Sequence, residues 1–319
     1  MDGEFSEWLA KVAKASARIY QVAQRTPVAL IEDDRRVDSV RTFLKLEHLQ
    51  KTGSFKLRGA TNKILSLSPE EASRGIITSS TGNHALGVAT AARYRGIDAE
   101  VVVCSQVSRK RLRLIQDCGA RIRQTGDNPL EAELAARAAA ADSGKTYISP
   151  YNDPFVIAGQ GTIAAEVVEQ VGSVDAIYVA VGGGGLIGGI GAYLKSASPA
   201  TEVVGCWPEN SRVMYECLLA GEVIDFPEQP TVSESTAGGV EPGSITFDLC
   251  QRVIDRSVLV SEAEILEVMR WARQRDWTIE GAAGVAIAAF FKELSRQRGK
   301  TVVIISCGGN ASEEVLSRL

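Results

Sequence analysis

Short runs of β-branched residues alternate along the chain with longer segments of helical periodicity. The runs are TFLKLE (42–47), GIITSS (75–80), AEVVVCS (99–105), TYIS (146–149), DAIYVAV (175–181), EVVGCW (202–207) and TVVIIS (301–306). Helical periodicity covers residues 84–95, 107–117, 129–143, 156–171 and 261–275. This alternation predicts an α/β fold with mainly parallel sheets and right-handed crossover connections. A Gly- and Pro-containing stretch, 227–243, predicts an irregular loop.

Size and composition exclude several classes of protein. The 319 residues allow one large domain or two packed domains, and 45% hydrophobic with 23% charged residues is ordinary for a globular protein. A net charge of −4 gives no electrostatic basis for nucleic-acid binding. The N-terminus lacks a signal-peptide pattern and no segment is apolar enough to cross a membrane, so we expect a cytoplasmic protein. Six widely spaced cysteines and only two histidines indicate reduced thiols and no zinc site.

A glycine run follows one of the predicted strands, in VAVGGGGLIGGI (179–190). Consecutive residues without side chains let backbone N–H groups converge on an anion at the start of a helix, so the run predicts a phosphate site. Close packing of strand and helix is one alternative. A dinucleotide site is another, because Gly183, Gly185 and Gly188 match GxGxxG and Glu209 lies at about the spacing of a ribose contact.

A second polar stretch, SSTGNHALGVA (79–89), lies at the predicted start of another helix. Ser80, Thr81 and Asn83, together with Gly82, offer hydroxyl, amide and backbone donors that suit a carboxylate. A helix cap followed by a turn is the alternative, although one capping residue does not need so many polar neighbours.

Two further stretches hold candidate reactive groups. In KTGSFKLRGA (51–60), Lys56 follows an aromatic residue, and a lysine that is desolvated in this way can have a lowered pKa and act as a nucleophile. A solvated cation is the ordinary alternative for a single lysine. In TVVIISCGGN (301–310), Ser306 and Cys307 end a predicted buried strand, at the sheet edge where ligands bind in α/β proteins, although an ordinary strand end fits equally well.

Taken together, these stretches resemble the fold type II pyridoxal phosphate enzymes, specifically the serine/threonine dehydratase and serine racemase group. The likeness runs through RTP (25–27), SFKLRGA, STGNHA, AGQGTIAAEV (158–167), GGGGLIGGI, IEGAAGVAIAA (279–289) and CGGN. It implies a tryptophan synthase β-like fold of two domains, each with a mainly parallel sheet flanked by helices. Residues 1–69 and 149–319 would form a large, discontinuous domain that binds the cofactor. Residues 70–148 would form a small domain that carries the loop for the substrate carboxylate.

The resemblance also implies roles for particular residues. Lys56 would bind pyridoxal 5′-phosphate covalently, Phe55 would lie against its ring, and Asn83 would hydrogen-bond its phenolic oxygen. The backbone amides that would hold the phosphate are those of Gly182, Gly183, Gly184, Gly185 and Leu186. The residues that would surround the substrate carboxylate are Ser80, Thr81, Gly82 and His84. Cys307 would face the pyridine nitrogen, with the neighbouring Ser306 as the alternative.

The implied reaction converts a β-hydroxy amino acid of the L-threonine or L-serine type to a 2-oxo acid and ammonia, with Lys56 removing the Cα proton. The alternatives within the family are a serine racemase, in which Thr81 would act as a second catalytic residue, and a dehydratase of 3-hydroxyaspartate, phenylserine or a hydroxyectoine-type compound. A nucleotide-binding oxidoreductase or binding module is the alternative from another class. The expected partners are the amino-acid substrate and a second copy of the chain, in a homodimer.

Several positions depart from the pattern of that group. Many relatives have serine at the position of Cys307, whereas this chain has cysteine, as the liver-type serine dehydratases do. A neutral thiol makes the pyridine ring a weaker electron sink than a carboxylate would. Thr81 stands where serine racemases have serine, and its stiff χ1 disfavours racemisation. Trp207 and Val213 replace two carboxylates of relatives that bind a divalent cation, so we expect no metal. The sequence ends at Leu319, soon after CGGN, so we expect no regulatory domain and no feedback inhibition by isoleucine.

Overall fold

Helices and strands alternate over most of the chain in a computed structural model that describes residues 5–31, 40–105 and 107–319. The helices are α1 (Ser6–Ile19), α2 (Lys56–Ser66), α3 (Pro69–Arg74), α4 (Asn83–Arg95), α5 (Arg109–Asp117), α6 (Pro129–Ser143), α7 (Pro154–Val171), α8 (Gly185–Ala197), α9 (Val213–Ala220), α10 (Ile245–Val253), α11 (Glu262–Arg273), α12 (Gly281–Lys292) and α13 (Glu313–Leu316). The strands are β1 (Val28–Ile31), β2 (Arg41–Leu46), β3 (Ile76–Ser79), β4 (Ala99–Val103), β5 (Arg121–Gln124), β6 (Thr146–Tyr147), β7 (Ala176–Ala180), β8 (Glu202–Pro208), β9 (Arg256–Val260) and β10 (Thr301–Ser306). The predicted α/β class is confirmed.

The larger sheet has six strands in the order β1-β2-β10-β7-β8-β9. Strand β1 runs antiparallel to β2, and all other neighbours are parallel. Parallel pairing brings the carboxyl ends of β2, β10 and β7 to the same edge of the sheet. The loop before Lys56 follows β2, the CGGN segment follows β10, and the glycine run follows β7. The fold therefore brings three of the motifs together at one edge of the sheet.

The smaller sheet has four parallel strands in the order β5-β4-β3-β6. Strand β3 is buried between two neighbours and leads into the STGN loop and α4. Because all four strands come from residues 76–147, this sheet is built from one continuous part of the chain.

Local sequence signals account for several of the observed boundaries. A capping box is present at the start of α11, since the Ser261 hydroxyl accepts from the Glu264 amide and the Glu264 carboxylate accepts from the Ser261 amide. Helix α6 begins at Pro129 after Asn128, whose side chain accepts from the Glu131 amide. Residues 221–244 contain neither helix nor strand, which confirms the predicted irregular loop.

Three strands that the sequence reasoning did not predict are β1, β5 and β9. All three lie at the edge of a sheet, where one side of the strand has no neighbour and polar residues are tolerated. Strand β5, for example, has the sequence RIRQ and is mostly exposed. A mixed polar pattern of this kind lacks the buried apolar run on which the predictions were based.

Four charged side chains form a buried ion cluster behind α2: Lys45, Glu47, Arg58 and Glu166. Lys45 Nζ lies 2.5 Å from Glu166 Oε2, and the Arg58 guanidinium contacts Glu47 at 2.8 Å and Glu166 at 2.5 Å. Each of these side chains is at most 1% exposed. The cluster therefore connects α2 to α7 and to the end of β2. Its α2 member, Arg58, lies two residues after the candidate nucleophile Lys56.

Candidate active site

The loop that carries Lys56 is held against the segment that follows β10. The Phe55 amide donates to the Cys307 carbonyl at 3.0 Å, and the Gly309 amide donates to the Gly53 carbonyl at 2.9 Å. Gly53 has a φ of +75°, a left-handed conformation that favours glycine. These backbone contacts place Lys56, the first residue of α2, beside the CGGN segment.

Burial changes the chemistry of the Lys56 amine. Its Nζ donates to the Pro150 carbonyl at 2.7 Å and lies 5.3 Å from the centroid of the Phe55 ring. Desolvation lowers the pKa of Lys56 to about 8, and the nearby Cys307 and Glu280 groups oppose this shift. A substantial fraction of the amine is therefore neutral near physiological pH, which is the form that acts as a nucleophile or a base.

The glycine run forms a turn of bare backbone between β7 and α8. A Cβ added at Gly182 would lie 2.8 Å from the Thr236 carbonyl oxygen, and one at Gly183 would lie 2.6 Å from the Tyr151 ring. Gly184 has a φ of +84°, which a residue with a side chain rarely adopts. Gly185 begins α8, whose first amides have no partner inside the helix, so the turn suits an anion such as a phosphate.

These groups line one cavity together. Its lining residues are Phe55, Lys56, Asn83, Tyr151, Ala180, Val181, Gly182, Gly183, Gly184, Gly185, Leu186, Ile187, Ser235, Thr236, Ala282 and Cys307. The structure thus brings together all of the residues predicted to contact the cofactor. The four residues predicted to surround the substrate carboxylate are not among the lining residues but adjoin Asn83 in the chain.

The STGN loop connects β3 to α4. Ser80, Thr81 and Gly82 are half-buried, and the Gly82 amide donates to the Ser80 hydroxyl at 3.3 Å. A Cβ at Gly82 would meet no atom within 4 Å, so the loop borders open space. Asn83 is buried and is the first residue of α4.

His84 is a buried, neutral imidazole. Its Nε2 donates to the Ile148 carbonyl at 3.0 Å, and burial lowers its pKa to about 3. The other ring nitrogen, Nδ1, is therefore an acceptor, and it has no hydrogen-bond partner among the residues that the structure describes. His84 thus joins the start of α4 to the segment after β6, and its one donor is engaged there rather than offered to a carboxylate.

At the end of β10, the side chain that lines the cavity is Cys307, whose pKa is raised by burial. Ser306 instead turns away to His48, with its hydroxyl 2.7 Å from Nδ1 of that ring. The thiol is therefore neutral at physiological pH.

Sequence reasoning missed two residues of this site, Glu280 and Tyr151. The Glu280 carboxylate accepts from the Asn83 side-chain amide at 2.8 and 3.0 Å and from the Ser235 hydroxyl at 2.7 Å. The Tyr151 hydroxyl accepts from the Glu241 amide at 3.0 Å, which places the ring against the glycine run. For Glu280, the signal in the sequence was a single acidic residue directly before the small-residue helix α12, in IEGAAGVAIAA.

Trp207 and Val213, the two positions where carboxylates are replaced, are buried. Trp207 packs edge-on against Tyr215, with ring centroids 5.6 Å apart. In residues 5–31, 40–105 and 107–319 there is no group of three or more His, Cys, Asp or Glu side chains that could hold a metal ion. Within the same ranges, none of the helices has the length and apolarity that a membrane crossing requires.

Comparison with known families settles what kind of site this is. The sequence model of the family described as pyridoxal-phosphate dependent enzyme matches residues 19–308. The chain belongs to this family. The predicted cofactor and the predicted fold type II group are thereby confirmed, and the dinucleotide alternative for the glycine run is set aside.

Individual relatives of this pyridoxal-phosphate dependent enzyme agree with that assignment. The chain is 37% identical over 312 residues to an L-threonine ammonia-lyase of Thermotoga maritima, with 98% of this chain and 77% of the relative covered. Among solved structures, the processed form of threonine deaminase isoform 2 from Solanum lycopersicum has a TM-score of 0.93 at 31% identity, covering 99% of this chain and 93% of that one. Maize serine racemase has a TM-score of 0.90 at 29% identity, covering 97% and 95% of the two chains.

The observed residues fit pyridoxal phosphate. A desolvated amine can bond to the aldehyde, a glycine turn without side chains can receive the phosphate, and a buried amide can donate to the ring oxygen. All three stand around one cavity.

Proposed function

We propose that this enzyme is an ammonia-lyase that converts a β-hydroxy amino acid of the L-threonine or L-serine type to a 2-oxo acid and ammonia. The observation that carries the proposal is the desolvated Lys56 amine in the same cavity as the glycine run, in a chain that is similar along 98% of its length to an L-threonine ammonia-lyase.

We assign the cofactor contacts as the sequence predicted them. Lys56 would bind the cofactor covalently, Phe55 would lie against its ring, Asn83 would donate to its phenolic oxygen, and Cys307 would face its pyridine nitrogen. The phosphate would be held by the amides of Gly182, Gly183, Gly184, Gly185 and Leu186. When bound, the cofactor supplies an electron sink for the substrate α-carbon. The neutral thiol of Cys307 leaves that sink weaker than a carboxylate would, which favours prompt loss of the β-hydroxyl.

The protein's own proton transfer at the α-carbon is assigned to Lys56. Its Nζ lies in a desolvated site, where burial lowers its pKa to about 8. An amine with a pKa near the working pH is an effective general base, so Lys56 takes the Cα proton.

For the substrate carboxylate we propose Ser80, Thr81 and Gly82, supported by their half-buried position at the N-terminus of α4. His84 was predicted as a fourth contact. Its single donor is engaged with Ile148, so we propose that it contributes by holding this loop.

A second candidate function, serine racemase, is supported by the likeness to maize serine racemase. The Thr81 hydroxyl could donate the second proton, but its stiff χ1 counts against that role. Dehydratases of 3-hydroxyaspartate, phenylserine or a hydroxyectoine-type compound remain alternatives for the substrate.

We also propose the domain division predicted from the sequence, with residues 1–69 and 149–319 in the large domain and 70–148 in the small one. Its support is that the six-stranded sheet draws its strands from residues 28–46 and 176–306, and the four-stranded sheet from residues 76–147. A cytoplasmic location is supported by six cysteines that form no disulfide. The homodimer stays a prediction. Analytical ultracentrifugation of the holoenzyme would measure the oligomeric state.

The function is tested by supplying the purified holoenzyme with a panel of β-hydroxy amino acids and measuring release of 2-oxo acid and ammonia together with the enantiomeric purity of the remaining substrate. An ammonia-lyase releases both products in equal amounts from L-threonine or L-serine. Formation of D-serine at a rate comparable to that of pyruvate would favour the racemase, and no product from any member of the panel would contradict the proposal.

A further inference from the structure

Glu280 is a buried acidic side chain that touches the proposed cofactor site without lining its cavity. It is 4% exposed and directly precedes helix α12. Its two carboxylate oxygens lie 3.0 and 2.8 Å from Asn83 Nδ2, and one also accepts from the Ser235 hydroxyl at 2.7 Å. The backbone amide of Asn310 donates to it as well. A Cβ at Gly308 would lie 2.7 Å from its Oε1, so the carboxylate fills the space that this glycine leaves open.

The hydrogen-bond partners of Glu280 suit an ionised carboxylate. The Asn83 side-chain amide and the Asn310 backbone amide face Glu280 as donors only, and the Ser235 hydroxyl also donates to it, which matches an ionised carboxylate that accepts from all three. The start of a helix also stabilises negative charge. The pKa of Glu280 is nevertheless raised, because burial outweighs the hydrogen bonds from Asn83, Ser235 and Asn310 and the charge of Lys56, which lower it.

The Asn83 amide is held at both of its ends. Its Oδ1 accepts from Asn310 Nδ2 at 2.7 Å, while its Nδ2 donates to Glu280. An exchange of the oxygen and nitrogen positions would face donor with donor at Asn310 and acceptor with acceptor at Glu280, so the orientation is fixed. Asn83 also lines the cavity, and its Nδ2 carries two hydrogens, so one can serve Glu280 while the other serves an acceptor in the cavity.

The holding groups come from the other sheet. Asn83 belongs to α4, which follows a strand of the four-stranded sheet, whereas Glu280 and Asn310 flank the six-stranded sheet. The two contacts therefore also fix how this part of α4 meets the glycine run and Lys56.

We infer that Glu280 is a positioning residue of this site: it holds the Asn83 side-chain amide as a donor toward the phenolic oxygen of pyridoxal phosphate. The inference rests on the proposed function, since it takes the Asn83 contact to the cofactor from it. Glu280 acts through Asn83 and touches no reacting atom.

The test compares purified holoenzymes of the wild type, Glu280→Gln, Asn83→Ala and the double variant. For each protein, the visible circular dichroism per bound cofactor and the rate of cofactor release on dilution are measured, with kcat and KM alongside. Glu280→Gln keeps the shape of the side chain but replaces one acceptor oxygen with an NH2 donor, so the side chain cannot accept from all of its present partners. We expect both single variants to change the visible dichroism in the same way and to release the cofactor roughly tenfold faster or more, as for loss of a hydrogen bond with a charged partner. The double variant should release it no faster than Asn83→Ala, because the two residues act in series.

Glu264→Gln is the matched control, since Glu264 is also a carboxylate at the start of a twelve-residue helix but contacts Ser261 and Lys292 rather than Asn83. It should leave dichroism and release as in the wild type. If Glu280→Gln does not yield folded protein, Glu280→Asp replaces it in the same set of single and double variants. The shorter aspartate keeps the charge but moves it away from Asn83. Additive effects of the two changes, or wild-type dichroism and release in the Glu280 variants, would overturn the inference while leaving the proposed function standing. A wild-type protein that carries no absorbing cofactor would overturn the function itself.

Discussion

Lys45 and Lys56 are both desolvated lysines near the carboxyl end of β2, yet their surroundings prepare them for different tasks. Lys45 is completely buried, and its Nζ contacts the Glu166 carboxylate at 2.5 Å, the Gln170 side chain at 2.8 Å and the Thr26 carbonyl at 2.8 Å. Lys56 Nζ donates to one backbone carbonyl, that of Pro150. Burial lowers the pKa of both amines, but only Lys45 has a carboxylate in direct contact to oppose that effect.

This difference shows that burial alone does not make a lysine reactive. An amine whose hydrogens are all engaged by a carboxylate, an amide and a carbonyl is locked as a charged structural group. An amine held by a single neutral carbonyl beside a cavity can lose its proton and move toward a ligand. Lys45 therefore has a structural role in the ion cluster that also holds Arg58 of α2. Lys56, at the start of α2, remains available for chemistry.

The largest expected effect is on activity, from Lys56→Ala. Removal of the amine eliminates the covalent link and the base, so 2-oxo acid release should fall by about 10³-fold or more. The control is Lys51→Ala in the same loop, where Lys51 is exposed. Steady-state assays measure both, and comparable losses in the two variants would show that the loop, not the Lys56 amine, is at issue.

The buried ion cluster should respond in the opposite way, in stability rather than chemistry. Glu166→Gln leaves Lys45 and Arg58 without their shared carboxylate, and breaking a buried ion pair costs roughly 3–5 kcal/mol of unfolding free energy. Urea unfolding of the holoenzyme measures this change, with kcat per folded molecule as the second readout. A large loss of kcat at unchanged stability would contradict the division of roles between the two lysines.

The glycine run should tolerate no side chain at its tightest position. In Gly183→Ala the new Cβ would lie 2.6 Å from the Tyr151 ring, so either the ring or the turn must shift. Overpacking of this size costs enough to weaken cofactor binding by about tenfold or more, as measured by equilibrium dialysis. Gly239→Ala, where a Cβ meets nothing within 4 Å, is the control. Equal affinities in the two variants would argue against the phosphate site.

A smaller effect is expected from pH. The neutral amine is the attacking form, and the pKa of Lys56 is about 8, so attachment of pyridoxal phosphate to the apoprotein should speed up as pH rises through this value and level off above it. Stopped-flow absorbance follows the rate. A rate that keeps increasing up to the usual pKa of lysine would contradict this prediction, because it would mean that the Lys56 amine is exposed to water.

The part of the site that could be predicted from sequence is the part encoded in contiguous motifs. Lys56, the glycine run and Asn83 each sit at the junction of a strand or loop with a helix, and such junctions have local signals. Glu280 could not be assigned because its partner Asn83 is far away in the chain, and only the approach of the two sheets joins them. The pairing of Lys45 with Glu166 was hidden for the same reason.

The fold shows the same limit. Central strands such as β7 and β10 are buried on both faces and appear as continuous apolar runs, so they were predicted. Edge strands such as β5 have no such run and were missed.

The most direct test of the central claim is to reduce the purified holoenzyme with borohydride, digest it and locate the cofactor by mass spectrometry. We predict a stable adduct on the peptide that contains Lys56, with Lys45 and Lys51 unmodified. An adduct on another lysine, or a protein that binds the cofactor without any reducible link, would contradict the assignment of Lys56 as the nucleophile.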